Sequence, residues 1–138
     1  MHVHTAWNAD APDPACHVPV SADRVLRAPH HRDRAAAAVL AMVSRQRAVP
    51  PPLLLHRTRG DASVAGARQL AMYLTHVVLR RSYVEVGTLF GRDRTTVRHA
   101  CARVEELRDQ PEIDAELARL EAELTRRGIA GGMGHGAR

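Results

Sequence analysis

The stretch SYVEVGTLFGRDRTTVRHAC, residues 82–101, contains the start and stop signals of two consecutive helices. Ser82 followed by Glu85 has the S-x-x-E spacing of a capping box, in which each side chain satisfies a free backbone N–H at the helix start. This spacing predicts a short helix over Tyr83–Phe90.

A second helix is predicted after a tight turn formed by Gly91 and Arg92. Asp93 is a natural N-cap for it, because a short carboxylate accepts hydrogen bonds from the N–H groups of the first turn. We expect this helix to continue to about Asp109. Two helices joined by a short glycine turn, the second one basic, match the helix-turn-helix pattern. The inward-facing residues of the second helix are predicted to be Val97, Cys101, Val104 and Leu107.

Apolar periodicity predicts three further helices around this unit. The first spans residues 32–47 and ends before three prolines, which are followed by a loop over residues 53–62. The central helix spans residues 63–80, and the last helix begins at Pro111, with apolar residues at heptad spacing over residues 113–124. The predicted fold class is therefore all-α, a compact bundle of about five helices that contains a helix-turn-helix. Its buried positions are predicted to be Ala36, Val39, Leu40, Val43, Val64, Leu70, Ala71, Leu74, Val77, Val78, Ile113, Leu117, Leu120 and Leu124.

The two ends of the chain differ in composition from its middle. Residues 1–30 mix Pro, Asp, Ala and His without helical or strand periodicity, which predicts a disordered arm. Residues 31–127 form the predicted helical domain, and residues 128–138 a flexible glycine-rich tail. The histidines of the arm lack acidic or cysteine ligands at a fixed spacing. We therefore predict no metal site and no cofactor.

The charged residues exclude several classes of protein. All 20 basic residues are arginine, against 15 acidic ones, which gives a net charge of +5. A basic balance favours polyanionic partners, although arginine and alanine enrichment can also reflect coding composition.

Without lysine there is no GxxxxGK[ST] loop of a P-loop ATPase. The chain lacks a signal peptide, a membrane-spanning stretch and a disulfide framework, so we expect a cytoplasmic, nucleoid-associated protein with no membrane partner.

Polar residues remain on the outward face of the second helix, near its positively polarised N-terminus. Base edges in the major groove offer acceptors, donors and thymine methyl groups, which threonine, histidine and arginine can contact. Asp93 can accept from a cytosine amino group. Two threonines near a helix start can equally serve the local backbone. The outward residues are predicted to be Arg94, Thr95, Arg98, His99 and Ala102, with Thr96 near the boundary.

Residues 67–109 closely resemble the C-terminal DNA-binding domain of the bacterial chromosomal replication initiator DnaA. The segments ARQLAMYL, SYVEVGTLFGRDRTTVRHAC and EELR carry the resemblance, and the RDxTTVxHAC core is quite specific. The resemblance implies an all-α domain that binds double-stranded DNA at a DnaA-box-like site. It also implies a role in regulating replication initiation or transcription, with the initiator or its regulators as further partners. Because the family's ATPase module has no counterpart in this sequence, we expect binding to be independent of ATP.

The resemblance also assigns individual DNA contacts. Base readout falls on Asp93, Arg94, Thr95, Thr96 and His99. Contacts with the DNA backbone or a neighbouring base fall on Arg68 and Gln69, and phosphate contacts through backbone amides fall on Tyr83 and Val84. Further contacts with the backbone or the minor groove are predicted for Arg57, Arg59, Arg80, Arg81, Arg92 and Arg98.

The chain departs from the family pattern at two places. FGRDR stands where the family usually has FGGRDH, so one glycine is missing and Arg94 replaces a histidine. We expect these changes to shift docking and the preferred site. The family's minor-groove arginine aligns without gaps with Ala62, beside Asp61, and Arg57 or Arg59 can substitute if the loop is arranged differently. Loss of that contact would weaken binding by roughly 1 to 3 kcal/mol.

Two other classes of function are weighed against DNA binding. A protein-interaction module would retain the initiator fold, lack competent DNA recognition and bind through the amphipathic last helix, over residues 112–124. Ordinary packing of that helix onto the domain is the simpler interpretation. An enzyme is not predicted, because His99 and Cys101 are two residues apart on a helix and point in different directions. His76 is expected to be packed or to cap a helix, and no catalytic residue is assigned.

Overall fold

The computed structural model describes residues 33–56 and 61–129. The described residues form helices and contain no strand, so the predicted all-α fold class is confirmed. The arm over residues 1–30 and most of the predicted tail lie outside the described residues. The helices are α1 (Arg34–Arg47), α2 (Pro51–Leu55), α3 (Ala62–Val77), α4 (Tyr83–Phe90), α5 (Arg94–Leu107) and α6 (Pro111–Arg126).

Side-chain caps fix the starts of four helices. Asp33, Asp61 and Asp93 each accept from the backbone N–H three residues on, at 3.0, 3.0 and 2.9 Å. Ser82 and Glu85 form the predicted capping box at the start of α4, with hydrogen bonds of 3.0 and 2.8 Å. These bonds satisfy N–H groups that have no partner within a helix. Local sequence signals therefore place the helix-turn-helix correctly.

The prediction of a loop directly after the prolines was wrong. Residues Pro51–Leu55 form α2, with proline at its first positions. Proline suits the first turn of a helix, because its fixed φ is helical and its missing N–H would have no partner there. The central helix is also shorter than predicted. It ends at Val77, whose side chain is 40% exposed, and Arg80 adopts a left-handed φ of 60°.

Helix α3 lies at the centre of the domain and contacts α1, α2, α4 and α5. Its buried residues join those of the surrounding helices in one core. All the predicted inward positions of α1, α5 and α6 are buried. Small residues such as Ala67 and Ala71 lie between the larger side chains and let the helices approach closely. The core positions α5 against α3 and α4, so the outward face of α5 is held on a rigid support.

Helix α6 is fixed to α1 by a buried ion pair. The Arg47 guanidinium donates two hydrogen bonds to the Glu116 carboxylate, at 3.1 and 3.2 Å, and Gln46 donates a third at 2.8 Å. Both charged side chains are only 4% exposed. Burial lowers the pKa of Arg47, and the charge and hydrogen bonds of Glu116 oppose this shift. The pair therefore keeps two buried charges compensated.

The apolar face of α6 belongs to the core of the domain itself. Ile113, Leu117, Leu120 and Leu124 are all buried there. Arg108 adds a polar connection to α6 through Asp114 and Glu121, at 2.7 and 2.8 Å. The face that a protein-interaction module would use is thus occupied by intramolecular packing, which is the simpler of the two interpretations of this helix.

Candidate nucleic-acid interface

The first two turns of α5 carry an exposed polar surface. We call it the reading surface and define it as Asp93, Arg94, Thr95, Thr96, Arg98 and His99, which are all exposed. Val97, which lies within this stretch, and Ala100 and Cys101, which follow it, are buried. The predicted orientation of α5 is therefore confirmed. Contact of the reading surface with DNA remains a prediction.

Asp93 occupies the first position of the reading surface and also caps α5. Its Oδ1 accepts from the backbone N–H of Thr96 at 2.9 Å. Hydrogen bonds from Thr96, first through the backbone and then through the side chain, lower the pKa of the Asp93 carboxyl. A carboxylate has more than one acceptor site. Asp93 can therefore cap α5 and still accept from a base amino group.

Two arginines on α5 keep their charges available to solvent. Arg94 and Arg98 are four residues apart, so they lie on neighbouring turns of one side of the helix. Within residues 33–56 and 61–129, neither side chain forms an ion pair or a hydrogen bond with another residue. Both stand near the positive end of the helix dipole. This part of α5 attracts anions and offers guanidinium groups for bidentate hydrogen bonds.

The turn before α5 closes tightly over α4. A Cβ atom on Gly87 would lie 2.4 Å from the Arg92 carbonyl oxygen, and the Arg92 N–H donates to the Gly87 carbonyl at 2.9 Å. Gly91 ends α4 with a left-handed φ of 68°. A single glycine in the turn is thus enough to reverse the chain. The missing second glycine of the family pattern does not prevent the helix-turn-helix from forming.

The start of α4 presents two backbone N–H groups. The capping box occupies the N–H of Ser82 and of Glu85, while Val86 donates to the Ser82 carbonyl at 2.9 Å. In the described part of the chain, the N–H groups of Tyr83 and Val84 have no partner. These are the two amides that the resemblance assigns to phosphate.

The connection between α3 and α4 separates its two arginines. Arg81 forms a bidentate ion pair with Asp33, with both contacts at 3.1 Å, and donates to the Leu79 carbonyl at 2.9 Å. Its carbonyl contacts His76 Nδ1 at 2.8 Å. Arg80 is exposed instead. Of these two predicted backbone contacts, only Arg80 presents a side chain that is fully at the surface.

Arg68, which is buried, and Arg92, which is half-buried, donate hydrogen bonds to carbonyls at the end of α2. Arg68 is only 5% exposed, and its Nε and Nη2 donate to the carbonyls of Leu54 and Leu53, both at 2.9 Å. Arg92 donates to the carbonyl of His56 at 2.9 Å. Burial first, and then the charge of Arg92, lower the pKa of Arg68 to about 10. Contact of these two residues with DNA remains a prediction.

The remaining predicted contacts have less definite positions. Gln69 is half-buried on α3. Arg57 and Arg59 lie outside the described residues, so their contacts with the minor groove remain a prediction.

Two residues that support the site were missed. Gly87 carried a signal, because glycine inside a helix is costly and usually has a packing reason. The pairing of Asp33 with Arg81 carried no signal, since the two residues are 48 positions apart in sequence.

The state of Cys101 and the placement of the metal-ligating residue types can be described for residues 33–56 and 61–129. Burial, followed by the charge of Glu105, raises the pKa of the Cys101 thiol to about 11, which suppresses the nucleophilic thiolate. Residues 33–56 and 61–129 contain no group of three or more His, Cys, Asp or Glu residues that could hold a metal ion. In the same ranges, no helix combines the length and apolarity that crossing a membrane would require.

The fold and the reading surface together define a helix-turn-helix domain of the DNA-binding class. The family model described as bacterial dnaA protein helix-turn-helix matches residues 36–104, which is half of the 138-residue chain. The chain therefore belongs to the bacterial DnaA helix-turn-helix family. This membership confirms the resemblance that the RDxTTVxHAC core indicated.

Two curated relatives carry the name chromosomal replication initiator protein DnaA. The one from Gluconobacter oxydans (strain 621H) is 49% identical over 74 residues, which cover 53% of this chain and 15% of the relative. The one from Sphingopyxis alaskensis (strain DSM 13593 / LMG 18877 / RB2256) is 48% identical over 64 residues, covering 45% and 14%. The chain thus spans only about one seventh of each of these relatives.

Proposed function

We propose that this domain reads a DnaA-box-like sequence in double-stranded DNA by placing the start of α5 in the major groove. Binding requires no ATP, and the protein regulates replication initiation or transcription in the nucleoid. The observation that carries the proposal is the reading surface, a continuous set of exposed hydrogen-bonding side chains at the capped start of a helix. Family membership supports DNA binding in general.

The dimensions of α5 suit the groove. Residues four apart on a helix differ by about 6 Å in height, because each residue rises about 1.5 Å. Successive base pairs of DNA are about 3.4 Å apart along each strand. Thr95 and His99, which are four residues apart and both exposed, can therefore reach adjacent base pairs or nearly adjacent ones. One helix start can in this way read several positions of a short site.

Each residue type of the reading surface matches a different base edge. Asp93 accepts from a cytosine amino group, and Arg94 forms two hydrogen bonds with a guanine. Thr95 and Thr96 contact thymine through their methyl groups or donate through their hydroxyls. Because Arg94 stands where the family usually has histidine, the preferred site includes a guanine at the position facing Arg94. Arg98 neutralises a phosphate beside the groove.

Independence from ATP and the regulatory role extend the same argument. The 138 residues contain no lysine and no GxxxxGK[ST] loop, so this chain has no P-loop of its own to bind a nucleotide. A domain that occupies the initiator's sites without ATP would compete with the initiator for DNA or recruit it there. The initiator or its regulators are therefore the proposed further partners.

Selection from randomised duplex DNA tests the proposal. Purified protein should enrich one motif related to a DnaA box, and Thr95→Ala combined with Thr96→Ala should abolish the enrichment at the bases that the threonines face. Thr125→Ala, which removes an exposed threonine from α6, is the matched control and should leave the motif unchanged. Adding ATP should change neither result.

Two outcomes would overturn the proposal. One is a protein that binds no duplex at modest ionic strength. The other is an enriched motif that survives the double threonine substitution unchanged, since the bases would then be read by another part of the molecule. The first result would favour a protein-interaction module, which would then need a surface other than the buried face of α6.

A further inference from the structure

The C-terminal end of α2 has carbonyl groups that its own helix cannot satisfy. The last carbonyls of a helix have no N–H partner within it, and α2 has only five residues. Three carbonyls at this end accept from arginines, each at 2.9 Å, and the Leu53 carbonyl also accepts from the His56 N–H at 3.3 Å. Leu53 and Leu54 accept from Arg68, and His56 accepts from Arg92.

The two arginines reach this end from different parts of the fold. Arg68 lies on α3 and is buried. Arg92 lies in the turn between α4 and α5, directly before the N-cap Asp93, and its guanidinium also donates to the Phe90 carbonyl at 3.2 Å. We call these two guanidiniums and the carbonyls of Leu53, Leu54 and His56 the carbonyl clamp. Through Arg92, the clamp joins the start of α5 to a segment 36 residues away in sequence.

The clamp holds two like charges near each other, which is an unfavourable arrangement by itself. Burial and the charge of Arg92 both lower the pKa of Arg68. The guanidinium is charged at neutral pH, so the carbonyl oxygens must compensate the cost of desolvating it. The planar fork of arginine suits this task, because it donates several hydrogen bonds in fixed directions. A single lysine could not replace that geometry.

We infer that Arg68 and Arg92 are positioning residues, which fix the end of α2 relative to the first turn of α5. The reading surface begins at Asp93, one residue after Arg92. The clamp therefore holds the start of the reading surface against the end of α2 and against α3. This inference rests on the proposed function.

Binding measurements on Arg92 variants separate positioning from direct contact. Arg92→Ala and Arg92→Lys should both weaken binding to the selected duplex, by about tenfold, the scale of one lost base contact. The dependence of log affinity on log salt concentration should stay unchanged, because no phosphate contact is removed. A direct phosphate contact would instead reduce that slope by about 0.9. Arg119→Ala, at an exposed position of α6, is the control and should bind like the wild type.

A double-mutant cycle with the reading surface is the second test. If Arg92 acts by positioning the start of α5, it has little left to position once Thr95 and Thr96 are both replaced by alanine. Arg92→Ala should then cost less than about twofold in that background, because coupled residues are not additive. Losses that multiply in full would show that Arg92 acts independently of the reading surface, and would overturn the inference.

The other possible results for the Arg92 variants also support or overturn the inference. Restoration of wild-type affinity by Arg92→Lys would show that only the charge matters and would overturn the inference, as would a reduced salt slope. Circular dichroism checks that the variants are folded, and if Arg92→Ala is not, the charge-retaining Arg92→Lys variant carries the test. A wild-type protein that binds no duplex would overturn the proposed function. If the wild type binds but the Arg92 variants show the reduced salt slope of a direct phosphate contact, only the positioning role of Arg92 is overturned.

Discussion

The arginines of the α1–α6 contact and those of the reading surface are in opposite environments. Arg47 is buried against Glu116, with both charged side chains 4% exposed. Arg94 and Arg98 are exposed and have no ion pair or hydrogen bond with other described residues. The same type of side chain thus serves two purposes. A desolvated and compensated arginine holds helices together, whereas a solvated and uncompensated one is available to an external anion.

This difference means that stability and recognition can be perturbed separately. Removing one partner of a buried ion pair leaves a buried charge uncompensated, which is costly. Removing an exposed arginine leaves nothing uncompensated, and such substitutions usually change stability little. Variants of the α1–α6 contact should therefore change the free energy of unfolding. Variants of the reading surface should change binding to DNA.

The largest effect is expected from Glu116→Ala. It leaves the guanidinium of Arg47 buried without its carboxylate, so the free energy of unfolding should fall by about 3 to 5 kcal/mol. Chemical denaturation followed by circular dichroism measures this change. Glu112→Ala, at an exposed position of the same helix, is the matched control and should be close to neutral. The protein that remains folded should select the same DNA motif as the wild type.

The double variant Arg47→Met with Glu116→Leu sharpens this comparison. Replacing both charges with apolar residues removes the uncompensated charge, so much of the stability lost in Glu116→Ala should return. Two results would contradict the separate control of stability and recognition. One is a Glu116→Ala variant with the same denaturation midpoint as the wild type, and the other is a folded Glu116→Ala variant that selects a different DNA motif.

An intermediate effect is expected from Gly87→Ala, which lies where packing and recognition meet. The new Cβ would lie 2.4 Å from the Arg92 carbonyl oxygen, which is backbone and cannot rotate away. Overpacking of this kind costs about 1 to 3 kcal/mol. Because the turn leads directly into Asp93, its displacement should also weaken binding to DNA. Thermal unfolding and a binding titration measure the two effects.

Gly128→Ala is the matched control for Gly87→Ala. Gly128 has a left-handed φ of 73° and open space around its Cα, so an alanine there strains the backbone without a clash. It should cost about 1 kcal/mol of stability and leave affinity for DNA unchanged. A Gly87→Ala variant with normal stability and normal affinity would show that the turn can relax freely, contrary to the tight closure of α4 on α5.

The helix-turn-helix was predictable because its signals are local. The capping box of Ser82 and Glu85, the left-handed Gly91 and the N-cap Asp93 each act within a few residues of the helix end that they define. The spacing of apolar residues on α5 then determined which residues face outward. The predicted bounds of α4 agree with the structure for the same reason.

Features that depend on distant residues were not predictable from the same signals. Helix α2 was interpreted as a loop because its prolines were considered only as helix stops, whereas Arg68 donates to its terminal carbonyls from α3. The partners Arg47 and Glu116 are 69 residues apart, and no pattern in one sequence joins them. For the same reason the hydrogen bonds of Arg68 and Arg92 to the carbonyls of residues 53–56 were not predicted, since partners distant in sequence leave no local signal.

The smallest effect is expected from Asp93→Asn, which tests both roles of Asp93, as the N-cap of α5 and as a reader of a base. Asparagine is also a good N-cap, so stability at neutral pH should change little. Hydrogen bonds from Thr96 lower the pKa of Asp93 in the folded state. The carboxylate therefore contributes stability above the unfolded value of about 3.9, and this contribution is lost as the pH falls through the lower folded value.

Thermal unfolding of wild type and Asp93→Asn between about pH 6 and pH 2 reveals this contribution, with the pH range set around the unfolded carboxyl value of about 3.9. The wild type should lose more stability than the variant below that value, whereas Asp109→Asn, at the other end of α5, should follow the wild type. At neutral pH the side-chain amide introduced by Asp93→Asn adds a donor, so the selected motif should shift toward adenine at the position that Asp93 reads. Parallel acid profiles together with an unchanged motif would show that the Asp93 carboxylate neither stabilises α5 nor reads a base.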